Sequence, residues 1–152
     1  MRKNIRNLFN RNTINEQFNI GKIDLTNNKK PARPNIFNAN PELPADVYYK
    51  QMLETGDVSD EAVEYLRDKV ALVKVKSKED LERIINIYSM QYYLQREPLN
   101  WLDVSEITNM FGLFRNKRYN GDISRWNVQN VKYMQFMFYK SQFNQDISEW
   151  DV

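Results

Sequence analysis

The sequence contains no cysteine and no histidine among its 152 residues. The lack of cysteine excludes disulfides, thiolate metal sites and cysteine nucleophiles. The lack of histidine removes the usual general base of enzymes and the commonest protein ligand of transition metals. Glycine is scarce, with four residues, and these do not form a phosphate-binding loop. The absences predict a protein that is not an enzyme and that carries no cofactor and no metal.

Long apolar runs are also missing. No stretch approaches the ~18 apolar residues that a membrane-spanning helix requires. The basic start Met1-Arg2-Lys3 is followed by polar residues rather than by the apolar core of a secretory signal. We therefore expect no membrane partner, and a location in the cytoplasm unless the protein is part of a larger particle.

Charge is unevenly distributed along the chain. The net charge is +2, but eight lysines and arginines against two acidic residues give residues 1–40 a charge of +6, so the remainder carries −4. The same forty residues contain eleven asparagines and few apolar side chains, which is too little to form a core alone. We predict an extended basic arm that lies either on its own body or on a neighbouring chain. Its candidate contact residues are Arg2, Lys3, Arg6, Phe9, Arg11 and Phe18.

The middle of the chain predicts helices and one short strand. Residues 41–70 read as a helix pair, with Gly56 ending the first helix and Ser59 capping the second. Residues 71–98 read as a strand at about 71–76 and a helix that Ser77 caps and that runs to about Gln95. We interpret this strand–helix unit as a cap for the segment that follows.

Residues 99–152 contain a 24-residue unit written almost twice. Residues 103–126 and 127–150 share eight identical positions without a gap, and the shared positions are mainly apolar. A fixed period of this length is typical of stacked repeats that present the same inward face to their neighbours. The predicted repeat core comprises Val104, Ile107, Met110, Phe114, Ile123, Trp126, Val128, Val131, Met134 and Phe138.

Within each copy, apolar spacing of three and four predicts a helix or 3₁₀ turn, and the alternation that follows predicts a short strand. The strands are expected at Asp122–Trp126 and Asp146–Trp150, with a partial one at about Leu99–Leu102. The predicted fold is therefore α+β: a short leucine-rich-repeat-like solenoid of about two repeats, capped by the strand–helix unit and preceded by the helix pair and the arm. No covering helix follows the second copy, which leaves Ile147, Trp150 and Val152 at an open end. Either the sequence is cut there or another molecule covers this end, and we predict that these three residues bind a partner.

The repeat resembles a known family. Residues 120–131 read NGDISRWNVQNV, residues 134–138 read MQFMF, and residues 143–152 read FNQDISEWDV. They are similar to the FNxDISxWDVSNVxxMxxMF unit of the BspA-like leucine-rich-repeat family, over about residues 99–152. The resemblance implies non-enzymatic repeats that mediate binding in bacterial surface proteins and in large tailed phages. The lack of a signal peptide and of a lipobox cysteine, the small repeat number and the basic arm all differ from the surface-protein type.

Three functions remain open from the sequence. The first is a structural protein of a virus particle, such as a capsid-associated accessory protein, anchored by its arm to a larger protein assembly. The second is a bacterial repeat module that binds a protein or glycan ligand. The third is a nucleic-acid-binding protein that contacts phosphates through the arm. The recurring Asp122–Ser124 and Asp146–Ser148 pairs predict hydrogen bonds in turns rather than a calcium ladder, because they lack the dense oxygen ligands calcium needs.

Overall fold

The computed structural model describes residues 43–152. This part has an α+β arrangement in which short regular elements precede a long segment of turns. The elements are α1 (Pro44–Thr55), α2 (Asp60–Leu66), β1 (Val73–Lys74), α3 (Lys78–Met90), a 3₁₀ helix (Tyr92–Leu94) and β2 (Leu102–Asp103).

The helix ends lie where local chemistry predicts them. Gly56 adopts φ 78°, a left-handed conformation that suits glycine, and its N–H closes α1. The side-chain oxygens of Ser59 and Ser77 each accept a hydrogen bond from the backbone N–H three residues on, at 3.1 Å. The three predicted helix-end signals are therefore confirmed.

The predicted end of α3 is wrong by several residues. The helix stops at Met90, and Gln91 takes extended angles (φ −108°, ψ 115°) before the 3₁₀ helix begins. The side-chain amide of Gln95 donates to the Ser89 carbonyl at 2.8 Å, which satisfies an acceptor that the ended helix leaves free. Tyr92, which falls within the predicted helix, is 89% exposed because the chain has already left the helical path.

A two-stranded parallel sheet joins the middle of the chain to the repeat segment. Val73 pairs with Leu102 and Lys74 with Asp103. The second strand overlaps the predicted Leu99–Leu102 stretch only at Leu102. The Lys74 ammonium lies 3.3 Å from the Asp103 carboxylate, so an ion pair reinforces this register at the exposed edge.

The secondary structure predicted within the repeats is wrong. Among residues 104–152 the structure has no helix, no 3₁₀ helix and no strand, including at Asp122–Trp126 and Asp146–Trp150. It has turns at matching places in both copies and one isolated parallel bridge between Asn109 and Tyr133. The parallel contact between copies therefore lies in the part of the unit for which the sequence predicts a helix.

Two local conformations explain this difference. Gly112 and its counterpart Phe136 adopt φ 61° and 59°, and Asn116 and its counterpart Lys140 adopt φ 60° and 54°. Left-handed residues at this spacing prevent a right-handed helix from continuing. At the expected strands, the side chain of Asp122 accepts from the Ser124 N–H at 2.9 Å, and this turn competes with extended pairing.

Backbone hydrogen bonds connect the two copies at alternate residues. The N–H groups of Met110, Gly112, Phe114 and Asn116 donate to carbonyls of residues 133, 135, 137 and 139 at 2.7–3.0 Å. In each of these hydrogen bonds the donor and the acceptor are 23 residues apart, one less than the period of the repeat. The four bonds form a ladder that follows the repeat. The turns of one copy thus hydrogen-bond to the turns of the next.

One hydrophobic core extends from α1 to the second copy. It includes Met52 and Leu66 from the helix pair, the fully buried Trp101, and Met137. Because buried residues from all these segments form one cluster, the helices and the turn segment pack as a unit.

Two tryptophans 24 residues apart make equivalent contacts. Trp126 and Trp150 stack with ring centroids 6.4 Å apart, and their indole N–H groups donate to the carbonyls of Leu99 and Ile123 at 2.8 and 3.1 Å. Donors and acceptors thus repeat with the same period. Trp126 is buried, whereas Trp150 is only partly buried.

We expect Trp126→Phe to lower the free energy of unfolding by about 1–3 kcal/mol, because it removes a buried hydrogen bond and leaves unfilled volume. The matched Trp150→Phe should cost less, since its site is more open to water. Urea denaturation followed by circular dichroism measures both. Equal losses in the two variants would contradict the difference in burial.

Candidate interaction surface

Three aromatic side chains from both copies form a row on the surface of the described part. Phe111, Phe136 and Tyr139 are 42%, 56% and 45% exposed. The rings of Phe111 and Phe136 meet edge to face at 5.7 Å, and those of Phe136 and Tyr139 meet edge to face at 5.8 Å. We call these three residues the aromatic row. Large exposed apolar groups that lie together typically mark a contact site.

Cationic side chains lie over the aromatic row. The Arg115 guanidinium is 5.9 Å from the Phe136 ring centre and 5.4 Å from that of Tyr139. The ammonium groups of Lys78 and Lys140 lie 5.8 and 5.4 Å from the rings of Phe111 and Tyr139. Such cation–π contacts hold the long side chains near the rings while leaving their charge available.

Lys78 comes from the start of α3 and ties that helix to the row. Its ammonium donates to the carbonyl of Phe111 at 2.8 Å and lies 3.6 Å from the Glu82 carboxylate. The row is therefore positioned jointly by the helix and by the turns of both copies.

The backbone conformation of Phe136 is energetically unfavourable. At the equivalent position the first copy has Gly112, which accepts a positive φ without steric penalty. A bulky residue with φ 59° pays roughly 1–2 kcal/mol for this conformation. Phe136 also recovers little by burial, because more than half of it faces water. Strain of this kind is enriched at functional sites.

A basic cleft adjoins the aromatic row through Arg115. Its volume is about 490 Å³, and it lies between α3 and the turn at residues 115–118. The Ser89 hydroxyl on this side of α3 is buried and has no hydrogen-bond partner among residues 43–152. We call this cavity the basic cleft. Among its lining residues are Asn86, Ser89, Gln95, Arg115, Lys117 and Arg118.

The aspartates that recur in the repeats act in turns. Asp122 and Asp146 each accept a hydrogen bond from the backbone N–H two residues on, at 2.9 Å, as the sequence predicts. Burial works against the charged form of Asp122, but the hydrogen bonds to Ser124 prevail and lower the pKa of its carboxyl. Within residues 43–152, no cluster of three or more acidic side chains is placed to hold a metal ion.

The residues predicted from the sequence lie in three places. The basic-arm residues Arg2, Lys3, Arg6, Phe9, Arg11 and Phe18 fall outside the described residues. Ile147 and Trp150 are partly buried against the core, whereas Val152 is 89% exposed. Of the predicted repeat core, Val131, Met134 and Phe138 are partly buried and the others are buried: Val104, Ile107, Met110, Phe114, Ile123, Trp126 and Val128.

The predictions from the sequence include neither the aromatic row nor the basic cleft. A signal for the row is nevertheless present in the sequence. Most positions that differ between the copies are polar. At three of them, however, an aromatic residue is aligned with a residue of another kind: Phe111 with Gln135, Phe136 with Gly112 and Tyr139 with Arg115. An aromatic residue at a position that is not repeated is poorly explained by a shared core. Such residues are candidates for the surface.

Comparison with known proteins gives a family but no activity. Residues 73–152 match the family described as "Mycoplasma protein of unknown function, DUF285". The matched part includes the whole stretch that resembles the BspA-like family and agrees with that resemblance. Neither curated proteins nor solved structures yielded a match. Among the described residues, no helix has the length and apolar character to cross a membrane. Because the match spans more than half of the chain, the protein belongs to the DUF285 family.

Proposed function

We propose that this protein is a non-enzymatic interaction module whose repeats supply a rigid inner core and a variable outer surface. The observation that carries the proposal is the division between positions. Residues that are identical in the two copies, such as Val104 and Phe114, are buried, whereas residues that differ between the copies, such as Phe111 and Phe136, are exposed. This division is expected when stacking uses the repeat and binding uses what differs. The lack of histidine and cysteine favours binding over catalysis.

The proposal includes a short solenoid-like stack. It is supported by the backbone ladder between Met110–Asn116 and residues 133–139 and by the indole hydrogen bonds of Trp126 and Trp150. In this arrangement the stack is built from turns and packs on α3 and the two-stranded sheet.

The biological setting is part of the same proposal. The family description names a bacterial genus, which favours a bacterial module that binds a protein or glycan over a virion component. The virion alternative is supported by the basic arm, residues 1–40, with its charge of +6. Deletion of that arm distinguishes the bacterial module from the virion component. A virion component should fail to join its particle, whereas a bacterial module should keep its ligand.

Cross-linking mass spectrometry in cells that express the intact protein tests the proposed function. We expect one protein partner to cross-link reproducibly and in near-stoichiometric amount. A chain that cross-links only to itself or to no protein, while its native abundance is recovered, would overturn the proposal. The map of cross-linked residues then identifies the surface that is used.

A further inference from the structure

We propose that the aromatic row and the basic cleft together form one docking site for an acidic segment of a partner protein. The rings receive apolar side chains of that segment, and the cleft receives one of its carboxylates. This inference rests on the proposed function and deepens it, because it assigns a surface and a partner chemistry. Arg115 joins the two parts, since it touches two rings of the row and also lines the cleft.

The positive charge of the basic cleft favours the binding of an anion. Arg115, Lys117 and Arg118 line it, no acidic residue does, and none of the three is ion-paired with the described residues. Elsewhere in residues 43–152, cations do meet carboxylates: Arg67 lies 2.9 Å from Glu97, and Lys74 is paired with Asp103. Clustered cations without a counter-charge repel one another, and a bound carboxylate relieves this repulsion.

Polar groups in the cleft match a carboxylate. Its wall adds the amides of Asn86, Gln95 and Asn116 to the guanidinium groups. A guanidinium can donate two parallel hydrogen bonds to one carboxylate, and side-chain amides can donate further ones. The buried Ser89 hydroxyl is a donor that has no acceptor within the described part.

Ring geometry favours an acidic protein over single-stranded nucleic acid. Neighbouring rings of the row are tilted by 77° and 81°, so they present no series of parallel faces on which successive bases could stack. A cation also lies over each of the three rings. Exposed aromatic rings mixed with arginine are instead the composition that dominates protein–protein contact sites.

The conformation of Phe136 points to the same use. Its left-handed backbone costs free energy, and its ring is largely exposed, so burial in the folded chain does not offset the cost. A partner that covers the ring would offset it. Phe136→Gly should therefore separate binding from folding, since glycine accepts φ 59° without strain.

Fluorescence anisotropy of the intact protein with a labelled peptide of alternating glutamate and leucine tests the proposal. The matched probes are a glutamine–leucine peptide and a labelled oligothymidine. We expect binding to the glutamate peptide and to neither control. Phe136→Gly should weaken binding about tenfold with an unchanged or raised melting temperature. The double variant Arg115→Gln with Arg118→Gln should weaken binding to the same extent, because it removes positive charge from the cleft. Arg125→Gln removes one positive charge beside Asp122, outside the site, and should bind as the wild type does.

Three results would overturn the proposal. They are no binding of the glutamate peptide, tighter binding of oligothymidine, and unchanged affinity in both site variants. The cross-linking experiment separates this failure from that of the proposed function. If a partner cross-links at another surface, only the docking site fails. If the peptide binds but no partner is found in cells, the site stands and the proposed function fails.

Discussion

Gly121→Ala should lower the free energy of unfolding by about 3 kcal/mol or more, because the added methyl group has no room at this position. A Cβ at this buried position would overlap the Glu97 carbonyl oxygen and the Tyr119 hydroxyl, and would lie 2.7 Å from Cζ of Tyr119. The Tyr119 hydroxyl donates to that same carbonyl at 2.8 Å. The variant must therefore displace backbone and disrupt this hydrogen bond. Urea denaturation followed by tryptophan fluorescence measures the loss.

Gly112→Ala is the matched control. Its Cβ would meet nothing closer than the Arg115 side chain at 3.9 Å, so only the positive φ of 61° opposes the change. We expect a cost of about 1 kcal/mol. If Gly121→Ala costs no more than Gly112→Ala, close packing against Glu97 is not the reason for glycine at 121.

The equivalent positions of the second copy help to explain the glycine at 121. Phe143 replaces Tyr119 and Gln145 replaces Gly121 at the equivalent positions. Phenylalanine has no hydroxyl that must reach across to a carbonyl, and Gln145 instead donates to the Asn120 carbonyl at 3.1 Å. The Tyr119 hydroxyl is thus one of the two groups that leave room only for glycine at 121, the Glu97 carbonyl being the other. Tyr119→Phe should accordingly reduce part of the cost of Gly121→Ala in a double-mutant cycle.

Phe114→Ala should cost about 3–5 kcal/mol. The ring is fully buried and contacts four others, with centroid distances from 5.4 to 6.0 Å. They are Tyr119, Trp126, Phe138 and Phe143. Two of these rings, Phe138 and Phe143, belong to the second copy, so the cavity would loosen the packing between the copies. Because the free energy of unfolding of native proteins is about 5–15 kcal/mol, the variant should lose a large fraction of its stability.

Differential scanning calorimetry of Phe114→Ala beside Phe111→Ala measures this effect. Phe111 has the same ring but is 42% exposed in the aromatic row, so its truncation should cost much less. Similar melting temperatures for the two variants would show that the buried stack contributes little to stability.

Several features of the fold follow from the sequence because their causes are local. The oxygens of Ser59 and Ser77 cap helices within three residues, and Gly56 ends α1 through its own backbone freedom. The inward face of the repeat also follows, because identical apolar residues at a period of 24 must occupy equivalent sites. The aspartate turns are equally local, since donor and acceptor are two residues apart.

The candidate site could be predicted only in part. Unrepeated aromatic residues such as Phe136 are visible in the alignment of the copies, but their neighbours are not. Lys78 reaches Phe111 from a position 33 residues earlier. The cleft likewise joins Ser89 of α3 to Arg115 and Arg118. Contacts across such separations depend on how α3 packs on the turns, which no periodicity encodes.

The sequence by itself determined the helix caps, the repeat register, the buried face and the absence of thiol and imidazole chemistry. Only the tertiary structure decided that the repeats are built from turns, because left-handed residues at Gly112 and Phe136 replace the helix that apolar spacing predicts. It also decided where the surface lies. Apolar spacing reports which residues leave water, whereas a binding surface is made by residues that remain exposed and meet only after the core has formed.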